Sequence, residues 1–288
     1  MQSVPADILA TANAHSRRLR ELLHAPSILV MPGAYDALSA RLFEAMGFPA
    51  IQGTSGGIAA VHGLFDEELL GRERTADVYR AMVAAVAVPV NADGEKGYGG
   101  PEEIAETVRQ FVRVGLAGMN LEDSDYHPHG EPMRLAPLDV QIAKIRAFMG
   151  AKRDLGSEFF LNARVDVFGT VREHREGLDE VIRRGNAYAE EGADCIFIFR
   201  PGDASTIGTL VREVQAPLSV LATDDTPSIP ELEGLGVARV SYGAAFTRVA
   251  LTALKQLAET LLETGDPRLL LREGIPRAEF QSLLRGQG

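Results

Sequence analysis

In the stretch "PVNADGEKGYGG", Pro89 to Gly100, the residues Asp93, Glu95 and Lys96 follow an apolar run and precede a glycine cluster. A second run ends "NLEDSD", with Glu122, Asp123 and Asp125, and a third ends "NARVD", with Asn162, Arg164 and Asp166. If these runs are adjacent strands, Asp93, Glu95 and Glu122 converge. Carboxylates brought that close repel unless a cation neutralises them. An oxygen-only set suits Mg²⁺ or Mn²⁺. Acids at strand ends also cap the helices that follow, and spacing alone leaves both readings open. Arg164, inside an apolar strand, needs an anion. Its planar fork suits a substrate carboxylate or a strand-end acid. "GTSGG", Gly53 to Gly57, is a glycine-rich turn whose backbone N–H groups can hold a carboxylate or enolate oxygen. Ser124 to Pro137 is long for a strand-to-helix link and reads as a lid carrying His127, His129, Glu131 and Arg134. His127 and His129 are spaced i, i+2, a poor match to zinc ligands.

A frame that would position these residues is visible in the glycines. Four times a helix-like segment ends in glycine and an apolar run follows: at Gly47, Gly115, Gly192 and Gly236. Glycine takes the left-handed conformation that closes a helix, and a buried parallel strand can then start. Four further apolar runs, Ile28–Met31, Val88–Val90, Phe159–Leu161 and Leu218–Leu221, bring the candidate strands to eight. Between them Ile104, Val108, Phe111 and Val112 share a helical face, as do Leu178, Val181, Ile182 and Gly185. This alternation predicts a (β/α)8 TIM barrel, with a doubly wound open sheet as the alternative. In such barrels active sites form at the C-terminal ends of the strands, where these polar residues fall. The chain is expected to form one domain over 1–288, with a helical tail from about 265 that packs on its own barrel or on a neighbouring subunit.

The chain has 288 residues, 45% of them hydrophobic, and a formal net charge of -11. Such acidity argues against nucleic acid or an anionic membrane as partner. The single cysteine, Cys195, excludes an internal disulfide and a multi-cysteine zinc site, and its apolar surroundings predict an inert buried thiol. No apolar stretch of about 20 residues and no signal-peptide pattern is present, so the expected compartment is the cytoplasm.

These motifs resemble the isocitrate lyase/phosphoenolpyruvate mutase superfamily from about Arg18 to about Glu263. "ILVMPGAYDALSARLFEAMGFPAI", "GTSGG", "DGEKGYGG", "LEDSD", "NARVDVF" and "EGADCIFIF" occur in that family's order. The resemblance implies Mg²⁺, directly or through water, on Asp93, Glu95 and Glu122, with Asp66 in "GLFDEE" as a further acid near the metal. It implies that Arg164 binds the substrate anion. Thr54, Ser55 and Gly56 would bind the oxo-acid, with Asn162 beside Arg164 as a further substrate contact. It also implies a dimer of dimers in which the C-terminal helix is exchanged between subunits. The shared chemistry is formation or collapse of a pyruvate-type enolate.

The chain departs from that family's pattern at several points. The lid lacks the Lys-Lys/Arg-Cys-Gly-His motif that supplies the thiol of isocitrate and methylisocitrate lyases, which disfavours both activities. Glu95 replaces a shorter Asp, Lys96 replaces a small residue, and Phe199 stands where a histidine or glutamate is common, with Arg200 beside it. Candidates for the proton donor are His127, His129, Glu131 and Tyr35, the last at the end of the first strand. The expected function is a Mg²⁺-dependent lyase or hydrolase that cleaves a C–C bond of a small 2-oxo or 2-hydroxy carboxylate. The alternatives are a P–C bond enzyme (phosphonopyruvate hydrolase or mutase-like, although the lid has no asparagine) and a non-catalytic carboxylate binder.

Overall fold

The computed structural model describes residues 4–125 and 130–285. The strands are β1 (Leu29–Met31), β2 (Gly33–Ala34), β3 (Ile51–Gly53), β4 (Val90–Asp93), β5 (Gly118–Glu122), β6 (Phe160–Val165), β7 (Cys195–Ile198), β8 (Leu218–Leu221) and β9 (Arg239–Ser241). All pairings among them are parallel. β1 pairs with β9 and β2 with β3. The two are halves of one stave divided at Pro32, which has no N–H to donate but accepts from the Gln52 N–H at 3.1 Å. The sheet therefore closes on itself as an eight-stave barrel, and the open-sheet alternative is excluded.

The helices are α1 (Ala6–Leu23), α2 (Ala37–Ala45), α3 (Ser55–Val61), α4 (Arg72–Ala85), α5 (Pro101–Arg113) and α6 (Leu138–Asp154). α7 (His174–Glu190), α8 (Ala204–Glu213), α9 (Ile229–Leu235), α10 (Ala245–Thr264), α11 (Arg268–Glu273) and α12 (Arg277–Arg285) follow. The four helix-ending glycines take positive φ: 93° at Gly47, 90° at Gly115, 100° at Gly192 and 91° at Gly236. α5 shows how sequence sets a helix here. Pro101 opens it, the Glu103 carboxylate accepts from the Gly100 N–H at 3.0 Å, and Ile104, Val108, Phe111 and Val112 are buried as one face.

α1 covers the N-terminal end of the barrel. Leu19 and Leu23 pack on Leu29, Met31, Ala117, Phe160 and Cys195. The Ser16 hydroxyl donates to the Ala117 carbonyl at 2.6 Å, and Arg20 grips Asp194. Burial pushes the Cys195 thiol up to about 12, as suits an inert core residue.

At the stave seam Gly33 lies against the Gly243 carbonyl. A Cβ at Gly33 would stand 2.1 Å from that oxygen. Gly33→Ala is therefore expected to cost about 3 kcal/mol, a fall in Tm of about 6–12 °C for a domain of this size. A thermal melt that moves by less than about 2 °C would mean the seam is loose.

In α10 only Thr247 is buried, while Val249, Leu251, Leu254 and Leu262 are exposed. α12 lies on α2 of the same chain, where the Arg41 guanidinium donates to the carbonyls of Leu283 and Leu284 at 2.9 and 2.8 Å. Among the described residues no helix is long and apolar enough to cross a membrane.

Candidate active site

At the C-terminal ends of the staves lies a cavity of about 310 Å³. Asp66, Asp93, Glu95 and Glu122 all line it, with Thr54, Gly56, Lys96, Asn120, Arg164 and Phe199. Register brings these together. Asp93 is the partner of Asn120, Glu122 of Arg164, and Arg164 of Phe197.

Asp93 ends β4 and is held from two sides. Its N–H donates to the Tyr79 hydroxyl at 2.8 Å, and that hydroxyl donates to the Asp93 carbonyl at 3.1 Å. The Ser55 hydroxyl donates to the Asp93 carboxylate at 2.9 Å. Thr54 is the N-cap of α3, its hydroxyl accepting from the Gly57 N–H at 3.4 Å. A Cβ at Gly56 would lie 2.9 Å from Asp66 Oδ2, so a larger residue there would displace that carboxylate.

Glu95 has φ 47°, a conformation uncommon for a residue with a Cβ. Its extra methylene lets Oε2 accept from the Glu68 N–H at 2.6 Å. Glu68 in turn accepts from the Tyr98 N–H at 2.7 Å. The longer acid thus also latches the loop that carries Asp66 and Glu68.

Arg164 is already paired. Nη1 lies 2.5 Å from Glu122 Oε1, Nη2 lies 2.7 Å from Asp166 Oδ1, and the guanidinium carbon sits 4.3 Å from the centroid of the Phe199 ring. Of the two anions the sequence allows for Arg164, the structure shows strand-end acids.

The carboxyl groups repel one another in a buried setting. Burial, then Asp93 and Glu122, push Asp66 up to about 7. Burial, then Asp66, Glu122 and Asp93, push Glu95 up to about 9. Asp93 is also raised, by burial and then by Glu122.

Among the described residues, no three His, Cys, Asp or Glu side chains stand ready to ligate one ion directly. The cavity nevertheless fits a hydrated dication. Its charged donors are carboxylate oxygens whose mutual repulsion Arg164 and Ser55 offset only in part, leaving Asp66 and Glu95 raised. It also has room for several waters at about 30 Å³ each, and Mg²⁺ keeps much of its hydration shell.

Other expected residues fall elsewhere. Asn162 lies a layer deeper, its side-chain amide donating to Asn120 Oδ1 at 2.8 Å. Tyr35 lines an apolar hollow with Phe43, Phe246 and Phe280, because the chain turns there to start α2. Glu131 is exposed and does not line the cavity, whereas Met133 does. His127 and His129 lie outside the described residues. Asp123, next to Glu122, faces the helices instead. It accepts from the Tyr188 hydroxyl at 2.7 Å and from Arg184 at 3.1 Å.

One layer was missed in the sequence. Asn91 Nδ2 donates to Gln52 Oε1 at 2.9 Å and to Asn120 Oδ1 at 3.0 Å, and Gln52 also accepts from buried Arg239. The signal was present: an asparagine stands two residues before Asp93, Glu122 and Arg164 in turn. Residues two apart on a strand share a face.

The chain matches the phosphoenolpyruvate phosphomutase family over residues 19–262. It is 30% identical over 283 residues to 2,3-dimethylmalate lyase of Eubacterium barkeri, covering 93% of each chain. The chain belongs to the isocitrate lyase/phosphoenolpyruvate mutase superfamily. A crystal structure of phosphoenolpyruvate phosphomutase from Streptomyces platensis subsp. rosaceus superimposes with a TM-score of 0.85 at 29% identity, covering 94% of this chain and 95% of that one. A crystal structure of 2,3-dimethylmalate lyase, itself described as a member of this superfamily, gives 0.81 at 28% identity, with 94% and 93% covered. In this superfamily member Asp66, Asp93, Glu95 and Glu122 lie at the barrel mouth, with Lys96 and Phe199 in the same lining.

Proposed function

We propose that this chain is a Mg²⁺-dependent lyase that cleaves a C–C bond of a small 2-oxo or 2-hydroxy carboxylate and passes through a pyruvate-type enolate. The observation that carries the reading is the ring of Asp66, Asp93, Glu95 and Glu122 around one cavity at the C-terminal end of the barrel. The similarity to 2,3-dimethylmalate lyase supports C–C cleavage of a substrate of this class.

In this reading Asp93, Glu95, Glu122 and Asp66 hold the ion, in part through water. When bound, Mg²⁺ would polarise the 2-oxo and carboxylate oxygens and stabilise charge that collects on oxygen as the C3 bond breaks. Thr54, Ser55 and Gly56 form the turn that seats the oxo-acid, with backbone N–H groups directed at its oxygens. Arg164 fixes the orientation of Glu122 and adds positive charge at the cavity wall. Phe199 and Met133 supply apolar surface that limits water around the reacting carbon. We further propose a cytoplasmic homo-oligomer, a dimer of dimers, supported by the exposed apolar side chains of α10.

The test is turnover of oxaloacetate, dimethylmalate, methylisocitrate and phosphonopyruvate with Mg²⁺ or with EDTA. Pyruvate release that needs Mg²⁺ and yields no phosphate supports the reading. Release of both products would favour P–C chemistry, the second reading, which the phosphomutase family match keeps in view. No turnover, with thermal stabilisation by a carboxylate, would identify a binder.

Proton linkage supplies a further check. Glu95 and Asp66 titrate higher in the folded chain than in the unfolded one. The folded chain therefore holds protons that the unfolded chain has lost. Metal-free stability should be complete below the usual carboxylate range and fall as pH rises toward about 9. Saturating Mg²⁺ should flatten the dependence of Tm on pH between about 6 and about 9. Parallel curves with and without Mg²⁺ would count against a metal at these acids.

A further inference from the structure

A second hollow of about 780 Å³ adjoins the central cavity on its β7–β9 side. The two share Leu221, Gly243 and Ala244 as lining residues. The segments after β6, β7 and β9 bring Arg172, Arg200 and Arg248 to the second hollow, with His174. These arginines are separated in sequence, and the side-by-side order of β6, β7, β8 and β9 gathers them.

Arg200 is placed with care. Its φ is 52°, unusual for a residue with a Cβ, and its carbonyl oxygen lies 2.9 Å from His174 Nε2. Its guanidinium carbon is 5.4 Å from the Phe199 ring centroid, while that of Arg164 is 4.3 Å from the same ring. Arg164 lines the central cavity and Arg200 the second hollow, so one ring joins the two chambers.

Elsewhere Arg20 pairs with Asp194 and Arg146 with Glu191. Among the described residues Arg172, Arg200 and Arg248 form no salt bridge. The acids that share the lining are Asp224 and Asp225. Nearby Asp203 is engaged in capping α8, accepting from the Thr206 N–H at 2.9 Å. Three guanidiniums thus outnumber the acids of the hollow, in a chain whose formal net charge is -11. Gathered guanidiniums with no salt bridge among the described residues favour a carboxylate or phosphate, which they can grip bidentately.

We propose that this hollow is a second anion-binding site, for a carboxylate or phosphate group, built from Arg172, Arg200 and Arg248 beside the central cavity. The anion is either the distal end of a substrate seated in the central cavity or a separate small anion.

The test uses the full-length chain in EDTA at constant ionic strength, titrated calorimetrically with inorganic phosphate and with propane-1,2,3-tricarboxylate. The wild type is expected to bind. The double variant Arg172→Gln/Arg248→Gln is expected to bind about tenfold more weakly. Both side chains are exposed, and an unchanged melting curve verifies the fold. Absence of wild-type binding, or equal affinity in the double variant, overturns the proposal. So does a pattern in which Asp93→Asn changes the affinity and the double variant does not, since the anion then sits in the central cavity.

The two sources separate in kinetics. A distal substrate group predicts a KM for a 2-oxo dicarboxylate raised about tenfold in the double variant with kcat unchanged. A separate anion predicts an unchanged KM with weakened phosphate binding. If no oxo-acid is turned over at all, the lyase reading fails while the phosphate titration still decides this one.

Discussion

Asp93→Asn is expected to fold as the parent does and to lose Mg²⁺-dependent pyruvate release, with kcat/KM lower by about a thousandfold or more. Asparagine keeps the shape, and its side-chain oxygen can still accept from the Ser55 hydroxyl, 2.9 Å away in the parent. The backbone is anchored independently by the Tyr79 hydroxyl. What disappears is one negative charge among Asp66, Glu95 and Glu122. In EDTA the variant should melt no lower than the parent, because the charge removed is one that its neighbours and burial already disfavour. Under Mg²⁺ the parent should gain Tm and the variant should gain less. Retention of kcat/KM within about threefold would remove the acids from the chemistry.

Arg164→Met is expected to have the largest effect on stability. The guanidinium pairs with Glu122 and with fully buried Asp166, and stacks on Phe199. Methionine leaves two carboxylates buried without their cation. Breaking such a pair from one side costs about 3–5 kcal/mol, so Tm should fall by about 10 °C. Activity should fall as well, since Glu122 loses its anchor at the cavity wall. The double variant Arg164→Met/Glu122→Gln should recover part of the lost stability, because one orphaned charge has been removed. A single variant that melts within about 2 °C of the parent, or a double variant worse than the sum of its parts, would show that the pairs do not hold this wall.

Much of the barrel was legible because its signals are local. Gly47, Gly115, Gly192 and Gly236 close helices by their own backbone freedom, and the apolar runs that follow are the observed strands. Parallel staves put all their C-terminal ends on one rim, so Asp93, Glu95, Glu122 and Arg164 had to fall at the same end. Directions of side chains were less legible. Asp123 and Glu122 are neighbours in sequence, yet strand alternation sends one toward Arg184 and Tyr188 and the other into the cavity. Tyr35 follows the first stave but turns to an apolar hollow with Phe246 and Phe280, which belong to the C-terminal helices.

By itself, then, the sequence determined the alternation of strand and helix, the closing glycines and the presence of acids at strand ends. These depend on residues within a few positions of one another. The tertiary structure alone decided that Arg164 pairs with Glu122 and Asp166, that Glu95 latches Glu68, and that Arg172, Arg200 and Arg248 share a hollow. Those outcomes depend on the order of the staves and on the register between them. Order and register are set by packing around the whole barrel, and no short window of sequence contains them.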